Sequence, residues 1–300
     1  MTYSIVARDP DSGALGVAVQ SHFFGVGSLV AWAEPGIGAV ATQSVVEPAY
    51  GPRGLELMRK GTSAPEALHR TLADDPQEPY RQLAMIDRWG RVAVHTGGSC
   101  IREAGHRVGD QMTAQANMMR RDTVWGAMEA AYRSAEGDLA DRLLAALDAA
   151  EAEGGDIRGR QSAALRIVAA RDTGSPLADV TFDLRVEDNP EPLRELRRLV
   201  DNKRAYDKVD AGDELAAAGD AEGALEQYAA AHAALPDNQE LAFWHGVALA
   251  GVGREEEARE LIRPAIEAND GWGELLRRLP AAGLLPDEPE LLAKLLYDTG

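Results

Sequence analysis

The chain has 300 residues, 45% of them hydrophobic, and a formal charge of −18 at pH 7. It is therefore long and apolar enough to bury a substantial core, while its net negative field repels nucleic acid and anionic membrane surfaces. A single cysteine, Cys100, excludes an internal disulfide and a multi-cysteine metal site, which points to a reducing compartment. No stretch approaches the roughly 20 apolar residues of a membrane span, and the start lacks the basic region and long apolar run of a secretory signal; the expectation is a cytoplasmic protein.

The first 45 residues read as strands. "YSIVARD", "ALGVAVQS", "GSLVAWAEP" and "IGAVATQSV" are short, rich in Val, Ile and Ala, and separated by Asp, Gly and Pro turn signals. Their apolar residues run together more than they alternate, the pattern of strands buried on both faces. Two helical segments follow, "GPRGLELMRKG" and "SAPEALHRTLADD", the second with Ser63 as N-cap, Pro65 in the first turn and Glu66 at the capping-box position.

Strands return as a hairpin around "DRWG" within "RQLAMIDRWGRVAVHTG", and again in "DQMTAQANMM". A helical pair comes next, "DTVWGAMEAAYRSA" and "DLADRLLAALDAAEAEGG", with Leu139, Leu143, Leu144 and Leu147 at helical spacing. "QSAALRIVAAR" and "DVTFDLRVE" close the unit as strands. Sheet, helix pair, sheet, helix pair, sheet predicts an α+β domain over residues 1–200: two sheets covered by helix layers, a four-layer αββα sandwich.

Residues 201–300 are almost wholly helical and repeat with a period of 34 residues: Gly212, Gly219, Ala224 and Ala231 are matched by Gly246, Gly253, Ala258 and Ala265. That spacing is tetratricopeptide-like, small residues letting paired helices approach closely. The tail from "GWGELLRRLP" onward is expected to cap the array, and the module to pack on the first domain or on a second subunit, giving a homo-oligomer.

Thr2 either simply begins a strand or has a chemical role. Methionine is normally removed before a small residue, which leaves a threonine whose hydroxyl and free α-amine belong to one residue. An α-amine titrates near ~7.7–8.0, so it can act as base while the hydroxyl attacks a carbonyl. The mechanism fails if Met1 is retained. Thr42 and Gln43 end a buried strand ahead of a helix N-terminus at Gly51-Pro52, where free N–H groups suit a carboxylate or an oxyanion, or they cap the strand. Thr96 precedes a Gly-Gly turn that backbone could use to approach a ligand.

Gln115 and Asn117 lie two apart on one strand face, so both amides are oriented alike, as oxyanion donors or as a hydrogen-bonded pair within the sheet. The loop "GGDIRGRQSAAL" carries Asp156, Arg158 and Arg160; its arginine forks could hold an acidic group of a substrate, or Asp156 could pair with an arginine. Cys100 has no placed base and is read as a small buried hydrophobe. The six histidines show no metal-ligand spacing, and no glycine loop fits a nucleotide pattern. No metal and no cofactor are expected.

"MTYSIVARDPDSGALGVAVQS", "GIGAVATQ", "YGPRGLELM", "AGHRVGDQMTAQANMM" and "GGDIRGRQSAALRIV" together resemble a bacterial family of undetermined function in the N-terminal-nucleophile (Ntn) hydrolase-like superfamily. The resemblance covers residues 1–200. Some members carry a C-terminal helical module described as peptidoglycan-binding, which "FWHGVALAGVGREEEARELI" through "LLRRLPAAGLLP" resembles. The superfamily implies the αββα fold and hydrolysis of an amide by an N-terminal nucleophile, a role that only Thr2 could fill here.

Two departures stand out. Proteasome-like relatives end the second strand in an acidic residue and follow it with a lysine, whereas this chain has Gln20-Ser21 there and no lysine before Lys60. Asn189 stands where the family's "DxHP" segment holds histidine. The expected function is an Ntn-type amidohydrolase acting on a small amide or lactam, with Thr2, Gln115 and Asn117 catalytic and Ser21, Thr42, Gln43, Thr96, Asp156, Arg158 and Arg160 binding substrate. The alternatives are a non-catalytic binding protein whose helical module engages a peptide, a protein or a cell-wall fragment, and a structural oligomer.

Overall fold

The computed structural model describes residues 2–296. Met1, on whose removal the Thr2 chemistry depends, and residues 297–300 of the expected C-terminal cap lie outside the described residues. The chain divides after Val200 into two compact units.

The first unit opens with the hairpin β1 (Thr2–Arg8) and β2 (Leu15–Ser21). Its turn is tightened by the Asp9 carboxylate, which accepts from Asp11 N and Ser12 Oγ. Then come α1 (Gly27–Val30), β3 (Ala31–Glu34), β4 (Gly38–Ser44), α2 (Tyr50–Arg59), α3 (Ala64–Leu72), β5 (Arg81–Asp87), β6 (Val92–Thr96), β7 (Gly105–Gly109) and β8 (Met112–Asn117). The unit continues with α4 (Val124–Ser134), α5 (Leu139–Ala152), β9 (Ser162–Val168), α6 (Pro176–Asp179) and β10 (Val180–Val186), and α7 (Pro192–Ala217) carries the division between the units.

All strand pairs are antiparallel. One sheet has the order β10-β9-β2-β1-β8-β7, the other β3-β4-β5-β6. Successive residues of β1 face opposite ways: Tyr3, Ile5 and Ala7 enter a core shared with α4 and α5, whereas Val6 joins Leu15, Val17 and Val19 in a core against Ala39, Ala41, Ala84 and Ile86 of the second sheet. A third core holds Val40, Leu83 and Met85 against Leu55 and Met58 of α2 and Ala64 and Ala67 of α3. Both sheets are thus covered on each face, which is why their strands read as continuous apolar runs.

Local signals account for the helices. Ser63 accepts from Glu66 N at the start of α3, and α5 begins with a reciprocal box between Asp138 and Asp141. Leu143 of α5 lies so close to Gly16 of β2 that a Cβ there would meet its Cδ1 at 2.7 Å.

Two segments depart from expectation. Residues 27–30, read as strand, form one helical turn, because Val26 and Val30, four apart, both bury between the sheets. β7, "GHRVG", was not anticipated: it is an edge strand with two glycines and no buried residue, so it carries no apolar signal.

In the second unit α8 (Ala221–Ala234), α9 (Gln239–Gly251), α10 (Glu255–Ala268), α11 (Gly271–Arg278) and α12 (Pro289–Leu296) follow the end of α7. Positions 34 apart share environments. A Cβ on Gly212 would strike Tyr228 and one on Gly246 would strike Ile262, Gly219 and Gly253 both have positive φ, and Ala224, Ala231, Ala258 and Ala265 are all buried. No helix among the described residues is long and apolar enough to cross a membrane.

Candidate functional site

Thr2 begins a central strand of the six-stranded sheet, paired with Ser21 on one side and Asn117 on the other, and Ser21 pairs in turn with Ser162. Four polar residues therefore form one row across the sheet. They share the face of Val6 and Val19, which looks at the second sheet. Thr2 is 3% exposed, and Ser21, Asn117 and Ser162 are fully buried.

The second sheet answers with Gln43 on β4 and Gln82 on β5, themselves register partners. Thr2 Oγ1 donates to Ser21 Oγ (3.1 Å), and Ser4 Oγ donates to Gln43 Oε1 (2.7 Å). Gln115 Nε2 donates to Ser4 Oγ (2.6 Å), and Gln43 Nε2 donates to Gln82 Oε1 (2.6 Å) and to the carbonyl of Thr2 (3.3 Å). At the far side Gln82 Nε2 donates to Thr96 Oγ1 (2.9 Å), which meets His106 Nδ1 at 2.9 Å. Burial lowers the His106 pKa, and His95 and Arg107 lower it further.

Backbone carbonyls set the direction of this network. Gln82 Nε2 also donates to Ala116 O (2.9 Å) and Gly105 O (3.2 Å), so Gln82 Oε1 must be the end that faces Gln43 and Asn117. Asn117 must therefore donate: its Nδ2 reaches Gln82 Oε1 at 2.9 Å and Thr2 O at 3.4 Å. Its Oδ1, equally buried, has no hydrogen-bond partner among the described residues. Leaving such a group unsatisfied costs about 1–3 kcal/mol.

Strain marks the same place. Ser44 and Met118, the residues directly after Gln43 and Asn117, have φ of 74° and 55°. A left-handed residue with a side chain costs roughly 1–2 kcal/mol, and Ser44 is the last residue of β4 while Met118 follows the last of β8.

The structure brings Thr2, Ser21, Gln43, Thr96, Gln115 and Asn117 into this one network. Thr42, one residue from Gln43, faces the opposite side of β4 and donates to Glu47 O (3.2 Å). Asp156 is buried beside the row. It accepts from His22 N (3.2 Å) and is bridged by Arg158 (2.8 Å), so it pairs with an arginine of its own loop. Arg160 reaches Glu191 (2.6 Å) and Glu151 (3.5 Å) at the surface.

Other features of the sequence find structural partners. The first glycine after Thr96 makes room for protein, since a Cβ on Gly97 would lie 2.2 Å from Pro79 O. Cys100 Sγ donates to Arg81 O (3.3 Å). No group of three or more His, Cys, Asp or Glu among the described residues could hold a metal ion.

Sequence reasoning missed Ser4, Gln82 and His106. A signal existed for the first two: Ser4 is a polar residue inside the apolar run "YSIV", and Gln82 stands next to Arg81 at the head of the buried run "RQLAMI". His106 lies on the unanticipated edge strand and had none.

The profile of a family described as "Family of unknown function (DUF1028)" matches residues 2–196. Among solved structures, protein SPO2555 from Silicibacter pomeroyi, itself assigned to DUF1028, is 31% identical; the match covers 66% of this chain and 84% of that one, with a TM-score of 0.60. No curated protein matches.

Proposed function

The chain belongs to the DUF1028 family of unknown function, and on that footing we propose that it is an amidohydrolase of the Ntn type, cleaving a small amide or lactam with Thr2 as nucleophile. The observation that carries the reading is the place of Thr2. It starts a central strand, and its hydroxyl points between two facing sheets beside Ser21 and Asn117.

Once Met1 is removed, the Thr2 amine takes the hydroxyl proton as Oγ1 bonds to the substrate carbonyl carbon. The resulting ammonium returns that proton to the leaving nitrogen as the C–N bond breaks, and water hydrolyses the acyl ester to restore Thr2. Gln115 Nε2 makes one hydrogen bond, to Ser4, whereas Asn117 Nδ2 makes two. Gln115 is therefore the better side-chain donor for an oxyanion.

Mass spectrometry of the native protein with a panel of small amides and lactams tests this reading. The expected result is loss of Met1 and turnover that falls by about 10⁴-fold or more in Thr2→Ala. Full retention of Met1 overturns it.

One observation favours a second reading, a binding protein on the same scaffold. Among the described residues, the side chains bonded to Thr2, those of Ser21, Gln43 and Asn117, are all neutral. Full turnover by Thr2→Ala would favour this reading or another active site. For the helical unit the proposal is a tetratricopeptide-like module that engages a peptide, protein or cell-wall fragment, supported by the matched environments of Gly212 and Gly246.

A further inference from the structure

The row that holds Thr2 is polar, but its surroundings are not. Phe23 and Phe24 follow Ser21 by two and three residues and are 47% and 66% exposed, and Phe23 O accepts from Ser162 Oγ (2.5 Å). Ile101 and Ile157 flank Met118, the residue after Asn117: Met118 N donates to Ile101 O (3.1 Å) and Ile157 N to Met118 O (3.2 Å). Both isoleucines are about half exposed. Val45, two residues after Gln43, and Tyr80, two before Gln82, are bonded through Val45 N and Tyr80 O (3.2 Å) and are also about half exposed. These large apolar side chains gather at one end of the sandwich, the end where the buried Asn117 Oδ1 waits for a donor.

An apolar rim around a few fixed polar groups is the usual make-up of a small-molecule site. Among the described residues the orphaned group of this row, Asn117 Oδ1, is an acceptor, and its direction is dictated by the carbonyls of Ala116 and Gly105 acting through Gln82. The ligand must then bring a donor. Among the described residues the side chains bonded to Thr2, those of Ser21, Gln43 and Asn117, are neutral, which suits an uncharged donor.

We infer that the site takes an apolar secondary amide, its N–H donated to Asn117 Oδ1 and its hydrocarbon resting against Phe23, Phe24, Ile101 and Ile157. This rests on the reading of Thr2 as the site's centre and narrows the substrate class. Esters and N-alkylated amides, which lack the N–H, leave the acceptor unpaired and bind worse. Asn117 is then a specificity residue that accepts from the substrate, the reverse of an oxyanion donor.

The test is calorimetric titration of full-length Thr2→Ala, which lacks the proposed nucleophile, with N-benzylbutanamide, its N-methyl derivative and benzyl butanoate. The secondary amide is expected to bind about tenfold more tightly than the other two. Adding Asn117→Leu should bring that ratio to about one, and adding Phe24→Ser should weaken all three alike. Equal affinity for the secondary and N-methyl amides, or no binding of any of them, overturns the inference without needing the Asn117 variant to fold. A preference that persists in Asn117→Leu also overturns it.

The two readings fail separately. An N–H preference in Thr2→Ala with no turnover by the wild type sinks the hydrolase and keeps the amide site. Turnover by the wild type with no N–H preference in Thr2→Ala does the opposite.

Discussion

Gln20 and Asn117 are both fully buried amides with unpaired atoms, on opposite faces of the same sheet. Asn117 has its nitrogen bonded and only Oδ1 open, in a row of polar residues. Gln20 pairs with Tyr3 in the register, faces the core beneath α4 and α5, and has neither Oε1 nor Nε2 partnered among the described residues. Nothing in the network holds its amide, so an apolar residue of like shape should suit the position better. Gln20→Met is expected to raise stability by about 1–2 kcal/mol, read as a higher urea midpoint at unchanged slope. A fall in the midpoint would show that Gln20 has a partner after all.

At the scale of elements, one ion pair pins the strand ends that frame the site. Arg81, the first residue of β5, donates to Asp75 after α3 (2.7 Å) and to Val45 O after β4 (2.6 Å), while Tyr50 at the start of α2 donates to the same carboxylate. The Arg81 and Tyr50 bonds hold the Asp75 pKa down to about 2 from 3.8; burial and Asp75 push Tyr50 up to about 12 from 10.0. Asp75 therefore contributes stability that is complete above pH 3.8 and lost as pH falls through about 2. The Tyr50 contribution is complete below pH 10.0 and lost as pH rises through about 12.

Thermal melts across pH should show a plateau between these limits. Asp75→Asn should cost about 3 kcal/mol at neutral pH by leaving the Arg81 charge without its counter-ion, and should flatten the acid limb. An acid limb unchanged by the substitution would assign it to other carboxylates.

How far these elements were legible depended on where their signals lay. Alternation within β8 put Gln115 and Asn117 on one face, and the Ser63 and Asp138 caps announced α3 and α5. The Gly27 turn was not legible, because its helical spacing rests on two valines inside an apolar run. β7 was not legible either, because an exposed edge strand needs no hydrophobic pattern.

On the scale of the whole molecule, each hydrophobic core draws its residues from one side of Val200. The 34-residue repeat has the same cause as the core beyond Val200: at Gly246 the absence of a side chain lets Ile262 close over the helix, where a Cβ would meet its Cγ1 at 2.7 Å. Two unfolding transitions are expected in calorimetry. Ile262→Ala, which empties a fully buried position, should shift only the one belonging to the helical unit, by about 3 kcal/mol. A single transition that moves as a whole would show that the two cores unfold together.

By itself the sequence determined the order of most elements, two sheets with their helix pairs, the repeat in the helical unit and the candidacy of Thr2, because periodicity, caps and chain position are local properties. Only the tertiary structure decided which polar residues meet. Ser4, Gln82 and His106 join Thr2 across gaps of up to about a hundred residues, and Thr42 turns away from its neighbour Gln43. It also decided that Asn117 offers an acceptor, since that direction descends from two backbone carbonyls through Gln82, a dependence that no spacing along the chain records.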